Sequence, residues 1–98
     1  MKMLILITYD VSTSSSGGAK RLRRVAKICQ DYGQRVQNSV FECIIDSTQY
    51  TMLKKKLLNE IDFELDSIRF YRLGNSYRQK IEHFGAKESI DLEGSLLF

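Results

Sequence analysis

The stretch that decides the fold is the first strand, Met3-Leu4-Ile5-Leu6-Ile7-Thr8-Tyr9-Asp10. A short apolar run that is rich in Ile and is followed by turn-forming residues is typical of a buried strand. Asp10 then lies at the carboxyl end of that strand. Residues 12–18, which follow, are all Ser, Thr or Gly, and this composition predicts a flexible loop. The strand therefore carries one acidic group to a mobile edge, where Asp10 is either a turn residue or helix cap or a functional carboxylate.

The size and composition of the chain indicate one globular domain. It has 98 residues, of which 43% are hydrophobic and 28% charged. No apolar run approaches the ~20 residues of a membrane span, and no signal-peptide pattern precedes the first strand. Cys29 and Cys43 lack metal-ligand spacing, so we interpret them as buried thiols of a cytoplasmic protein.

Positive charge is concentrated in the first part of the chain. Residues 1–41 carry seven Lys or Arg and two Asp, a net charge of +5. Residues 42–98 carry eight basic and ten acidic residues, a net charge of −2. This gradient favours a polyanionic partner for the basic part.

A helix is predicted from Ala19 to a stop at Gly33. Its apolar residues repeat at helical spacing, as Leu22, Val25 and Cys29 illustrate. The opposite face carries five cations with no acidic neighbour in the sequence before Asp31. We interpret this face either as solvated or as a binding surface for an anion. The five cations are Lys20, Arg21, Arg23, Arg24 and Lys27.

The next segments predict two strands, a helix and a last strand. The strands lie near residues 34–37 and 40–46, with a turn or bulge at Asn38-Ser39. Asp46 and Gln49 have the spacing of a capping box for a helix over residues 48–61, whose lysines at 54–56 we interpret as solvated. A strand at 68–73 completes the order βαββαβ. This order predicts a ferredoxin-like α+β sandwich, an antiparallel sheet with two helices on one face.

Two features extend beyond that unit. The second face of the sheet is left uncovered, which predicts a homodimer. The tail, residues 75–98, ends in the apolar Ser95-Leu96-Leu97-Phe98 and is expected to dock as an edge strand, for which the partner subunit's sheet offers one place. His83, the only histidine, is interpreted as a surface or packing residue.

The chemistry that the sequence offers is limited. It has no Gly-rich phosphate loop, no zinc spacing and no supported Ser/His/Asp set. Hydrolysis of a phosphodiester usually needs a metal ion, and magnesium prefers oxygen ligands. One Asp per chain is a poor site, but two copies of Asp10 that face each other across a two-fold axis could share one Mg²⁺.

These motifs together resemble the CRISPR-associated Cas-two (Cas2) family, the small companion of the Cas-one (Cas1) integrase, in the subtype found with type I-C systems. The resemblance covers the whole chain. It rests on the segments Thr8–Val11, Lys20–Val25, Gly33–Cys43 and Ile68–Gly74.

The resemblance implies a ferredoxin-like homodimer whose C-terminal segments cross to the partner, with a role in antiviral defence. It implies a metal-dependent nuclease acting on single-stranded RNA or double-stranded DNA, with the essential metal-binding aspartate at Asp10. Basic and aromatic positions near that site map onto Tyr9, Arg35 and Phe41. The resemblance also implies a bridge between two Cas1 dimers that holds the future spacer DNA, a role in which the carboxylates are dispensable.

Two functions follow as hypotheses. In the first, the protein is a magnesium-dependent endonuclease in which Asp10 is the catalytic and metal-binding residue, while Arg35 and the first-helix cations hold phosphate. In the second, it is a non-catalytic scaffold that holds DNA in the integration complex. Without the family resemblance, the sequence would favour a third function, that of an RNA-binding or toxin-like module with a ferredoxin fold.

Overall fold

The computed structural model describes residues 1–85 of the chain. Four strands form one antiparallel sheet in the order β2-β3-β1-β4. The order βαββαβ and the ferredoxin-like α+β arrangement are therefore confirmed. The elements are β1 (Met3–Asp10), α1 (Gly18–Tyr32), β2 (Gln34–Gln37), β3 (Val40–Ile45), α2 (Ser47–Glu60), β4 (Ser67–Gly74) and a short 3-10 helix, Tyr77–Lys80.

β1 is a central strand, and its alternating side chains build the core. Ile7 lies opposite Phe41 of β3 and Phe70 of β4. Because successive side chains of a strand point to opposite faces, every second residue of β1 meets the two helices. The helices contribute Val25 and Cys29 from α1, and Leu53 and Leu57 from α2, to the same buried cluster. Burial of each large aliphatic side chain stabilises the fold by about 1.5–3 kcal/mol.

The start of α2 is fixed by the predicted capping box. The Asp46 carboxylate accepts a hydrogen bond of 2.8 Å from the Gln49 amide, and the Gln49 side chain accepts one of 3.0 Å from the Asp46 amide. Two backbone donors that the first helical turn leaves unpaired are satisfied in this way.

Gly33 ends α1, as predicted, and a glycine is needed there because a larger side chain would clash with β3. Its backbone is extended, so no left-handed conformation requires a glycine. A Cβ at this position would lie 2.3 Å from the Glu42 carbonyl oxygen and 2.5 Å from the Cys43 Sγ. The chain can therefore turn from α1 directly into β2 only because the residue has no side chain.

The second face of the sheet is less open than the sequence predicts. Leu4 lies on it and is fully buried. Glu42 lies on the same face; burial raises the pKa of its carboxyl, and the nearby charge of His83 opposes that rise. A second copy on this face stays a prediction, and the predicted docking of Ser95–Phe98 falls outside the described residues. None of the helices within residues 1–85 has the length and apolarity to span a membrane.

Candidate nucleic-acid and metal site

Asp10 is the last residue of β1 and pairs in register with Ser67, the first residue of β4. The side chain is exposed. Within residues 1–85, no ion pair or hydrogen bond engages its carboxylate. The two strands thus hold the backbone of Asp10 while the carboxylate is available to a ligand.

The donor set of one chain fits a magnesium ion only in part. An exposed carboxylate without a competing cation is a suitable ligand for Mg²⁺, which keeps several waters and binds through one or two carboxylates plus substrate phosphate. Within the described residues, however, no three His, Cys, Asp or Glu side chains come together as a metal cluster. The remaining ligands would therefore have to be water, phosphate oxygens or the carboxylate of a second copy.

Three of the predicted site residues form a stack beside this strand end. The Tyr9 and Phe41 rings stack with centroids 6.2 Å apart, and the Arg35 guanidinium carbon lies 5.1 Å from the Phe41 ring centroid. Tyr9 and Phe41 are 6% and 0% exposed, whereas Arg35 is exposed. Direct contact of the two rings with nucleic acid stays a prediction. In this structure the Phe41 ring packs between the Tyr9 ring and the exposed guanidinium of Arg35 as their common neighbour.

The Tyr9 hydroxyl acts as a hydrogen-bond donor in this stack. It donates to the Asn38 carbonyl oxygen at 3.2 Å. Burial raises the pKa of the Tyr9 phenol above 10.0, an effect that Cys29 reinforces and Arg35 opposes. The neutral phenol ties β1 to the turn between β2 and β3 and is unsuited to serve as a base at neutral pH.

The cations of α1 differ in their surroundings. Three of the five have acidic partners in the fold, although the sequence offers none before Asp31. Arg24 Nε lies 3.4 Å from Glu60 Oε1, and Lys27 pairs with Asp31 one turn along the helix. Both are partly exposed pairs of the kind that contributes little to stability, so either cation can exchange its partner for a phosphate. Lys20 and Arg23 are exposed, and no acidic side chain among residues 1–85 forms an ion pair with them.

Arg21 is held much more firmly, by a residue that the sequence did not single out. Its Nε lies 2.8 Å from Asp66 Oδ2 and its Nη2 lies 3.2 Å from Asp66 Oδ1. The Asp66 side chain has no solvent exposure, while that of Arg21 is 16% exposed. The Arg21 guanidinium holds the pKa of the Asp66 carboxyl at about 2.

The same pair organises the loop of residues 12–18. Asp66 Oδ1 accepts a hydrogen bond of 3.0 Å from the Ser12 amide. Arg21 donates to the Ser16 carbonyl oxygen at 3.3 Å and to the Ser15 hydroxyl at 3.0 Å. The loop that its composition predicted to be flexible is therefore anchored by hydrogen bonds at three of its residues.

The two cysteines carry no site chemistry. Cys29 and Cys43 are free and buried, as predicted. Burial raises the pKa of each thiol to about 12. At neutral pH both are protonated and behave as small apolar side chains.

The fold and the site together define a ferredoxin-like domain with an available carboxylate at the end of its first strand, beside exposed cations. The chain belongs to the Cas2 family: the family model described as CRISPR associated protein Cas2 matches residues 3–81. The predicted family is therefore confirmed.

Individual relatives agree with this assignment. The CRISPR-associated endonuclease Cas2 of Halalkalibacterium halodurans is 71% identical over 96 residues, which cover 98% of this chain and 100% of that protein. The CRISPR-associated endoribonuclease Cas2 of Chlorobaculum tepidum is 59% identical over 95 residues, covering 97% and 99%. The crystal structure of Streptococcus pyogenes Cas2 at pH 6.5 superposes with a TM-score of 0.73 at 52% identity, covering 85% of this chain and 100% of that one.

Proposed function

We propose that this protein is a magnesium-dependent endonuclease that hydrolyses phosphodiester bonds of single-stranded RNA or double-stranded DNA. It acts in the cytoplasm as a homodimer and takes part in spacer acquisition with the Cas1 integrase. The observation that carries the proposal is the Asp10 carboxylate, exposed at a strand end and unengaged by any of residues 1–85. The names of the relatives, endonuclease and endoribonuclease, support the nuclease class.

In this proposal Asp10 of each of two copies holds one shared ion. Magnesium supplies charge stabilisation at the phosphate oxygens and an activated water. The residues of the chain do the positioning. Arg35, supported by the Phe41 ring, binds a backbone phosphate through its fixed fork of donors. Lys20 and Arg23 extend the basic surface along α1 and set the register of the nucleic acid.

The test compares wild type with Asp10→Asn, which keeps the size of the side chain and removes its charge. The matched control is Glu64→Gln, an exposed carboxylate in the connector before β4. Cleavage of end-labelled RNA and duplex DNA is measured in Mg²⁺ and in EDTA. We expect Asp10→Asn to lose at least about a hundredfold of the magnesium-dependent rate, since a metal ligand contributes several kcal/mol to the transition state. Equal rates for Asp10→Asn and wild type would assign the cleavage to a contaminant.

The scaffold is the second candidate, and one observation favours it. Within residues 1–85 no group of three or more His, Cys, Asp or Glu side chains comes together as a metal cluster, so Asp10 has no set of companion ligands from its own chain. On this hypothesis Asp10→Asn still supports spacer acquisition in cells, whereas Lys20→Glu combined with Arg23→Glu abolishes it. Loss of acquisition in Asp10→Asn, with retention in the charge-reversed variant, would reject the scaffold.

A further inference from the structure

The Asp66 carboxylate is a junction of three segments. It accepts hydrogen bonds from the Ser12 amide, from two nitrogens of Arg21, and from the Asp62 amide at 2.8 Å. These donors belong to the loop after β1, to α1, and to the connector between α2 and β4. The junction uses both carboxylate oxygens, each of which accepts two bonds.

This junction borders Asp10 from both sides. Ser12 comes two residues after Asp10, and its amide is bound by the Asp66 side chain. Ser67 comes directly after Asp66 and pairs in register with Asp10. The backbone before the loop and the backbone of the neighbouring strand are therefore both tied to Asp66.

The donors of Arg21 are largely used inside the fold. Nε and Nη2 serve Asp66, Nη2 also serves the Ser15 hydroxyl, and Nη1 serves the Ser16 carbonyl oxygen. A phosphate could capture this guanidinium only by breaking its two charge-assisted hydrogen bonds to the Asp66 carboxylate and those to Ser15 and Ser16, which opposes the exchange. Arg23, two residues further along α1, is exposed and has no such constraint.

We propose that Asp66 and Arg21 are positioning residues that fix the strand end carrying Asp10, and that Arg21 does not contact nucleic acid. The part that concerns the metal rests on the proposed function. Magnesium demands near-ideal octahedral geometry, and two carboxylates from separate subunits meet that demand only if each strand end is held still. The seven residues of the Ser/Thr/Gly loop bury no large side chain of their own, so the junction supplies the anchoring.

The experiment uses Arg21→Gln and Asp66→Asn, with Arg23→Gln as the matched control. Two quantities are measured: the affinity of the dimer for Mn²⁺ by electron paramagnetic resonance, and the affinity for a short DNA duplex in EDTA at several salt concentrations. We expect Arg21→Gln and Asp66→Asn to weaken Mn²⁺ binding about 10-fold to 100-fold, as substitutions behind a metal ligand do. Neither variant should change the salt slope of duplex binding, which is the slope of the logarithm of the binding constant against the logarithm of the salt concentration.

Arg23→Gln should do the reverse. It should leave Mn²⁺ binding unchanged and lower the salt slope of duplex binding by about one, the effect of losing one phosphate contact. The proposal is overturned if Arg21→Gln lowers the salt slope as Arg23→Gln does. Where Asp10→Asn weakens Mn²⁺ binding, the proposal is also overturned if Arg21→Gln leaves Mn²⁺ binding at the wild-type level. If Arg21→Gln fails to fold, Arg21→Lys is used in its place. Lysine keeps the positive charge but cannot form the two-pronged hydrogen bond to Asp66. The same measurements of Mn²⁺ binding and salt slope then decide.

A separate measurement distinguishes this proposal from the proposed function. If wild type and Asp10→Asn bind Mn²⁺ equally, the metal function has failed, and positioning is judged by amide hydrogen exchange over residues 11–16. Faster exchange there in Asp66→Asn, with an unchanged salt slope in Arg21→Gln, supports the junction. Unchanged exchange in Asp66→Asn overturns it, whatever the chemistry at Asp10.

Discussion

The Arg21 guanidinium and the Asp66 carboxylate meet through two hydrogen bonds, 2.8 and 3.2 Å long, across 45 residues of sequence. This pair joins the first turns of α1 to the start of β4, two elements that flank the end of β1. A two-pronged bond fixes orientation as well as distance. The backbone on both sides of Asp10 is thus tied to Asp66, a residue that lies far from it in the sequence.

The contribution of the Arg21–Asp66 pair to the free energy of unfolding should depend on pH in the acid range. The pKa of Asp66 is lowered from 3.8 to about 2 in the folded state, with the Arg21 hydrogen bonds as the largest cause. A carboxyl with a lowered pKa stabilises the fold above its unfolded pKa, and this contribution is lost as the pH falls through the folded pKa. The free-energy difference between wild type and Asp66→Asn should therefore be constant above about pH 5 and shrink between pH 4 and pH 2.

Urea unfolding at pH 7, 5, 4, 3 and 2 measures this difference. Asp31→Asn is the control, because Asp31 forms an exposed pair with Lys27 on the surface of α1. A difference between wild type and Asp66→Asn that stays the same down to pH 2 would contradict the assignment.

Most of the fold follows from local patterns in the sequence. The alternation Phe41, Cys43, Ile45 and the turn at Asn38-Ser39 give β2 and β3 within one residue of the observed bounds. The Asp46 and Gln49 spacing gives the start of α2. These signals are reliable because each depends on residues that are close in sequence, namely the side-chain period and the hydrogen bonds of one helical turn.

The surroundings of the site follow from the sequence only in part. Tyr9, Arg35 and Phe41 come together as a set, but the burial of the two rings depends on packing between three strands. The acidic partners of Arg21 and Arg24 lie 45 and 36 residues away, in segments whose register no local pattern fixes. Residues 62–66 contain three acidic side chains, but only the tertiary structure shows that Asp66 is the one that binds the loop after β1.

Arg35 offers a direct test of the basic surface beside Asp10. The guanidinium is exposed and supported by the Phe41 ring. Arg35→Gln should lower the salt slope of duplex binding by about one, while the free energy of unfolding changes by less than about 0.5 kcal/mol. Arg35→Lys should keep the slope but lose affinity, because an ammonium lacks the planar fork and stacks poorly. If Arg35→Gln left both the affinity for duplex and the salt slope unchanged, Arg35 would not be part of the nucleic-acid-binding surface.

The two glycines at positions 33 and 74 should respond differently to alanine. At Gly33 the added Cβ meets the Glu42 carbonyl oxygen at 2.3 Å, whereas at Gly74 it meets nothing within 4 Å but the φ angle is +77°. Gly74→Ala should cost about 1–2 kcal/mol, the penalty of a left-handed residue. Gly33→Ala must shift backbone, and we expect it to cost more, about 3 kcal/mol. Thermal unfolding of both variants checks the order, and a smaller loss for Gly33→Ala would contradict the close approach of α1 and β3.

The cysteines should be inert to thiol reagents in the folded protein. The thiolate is the reactive form, and burial raises the pKa of both Cys29 and Cys43 to about 12. At pH 8 neither thiol of the folded protein should react with the disulfide reagent dithiobis-nitrobenzoate within an hour. Both thiols should react at once in urea. Because both side chains lie in the core between α1 and the sheet, the labelling rate also measures global opening. Asp66→Asn should therefore accelerate labelling by the factor by which it raises the unfolded population, and faster labelling than that factor would indicate that α1 separates from the sheet without global unfolding.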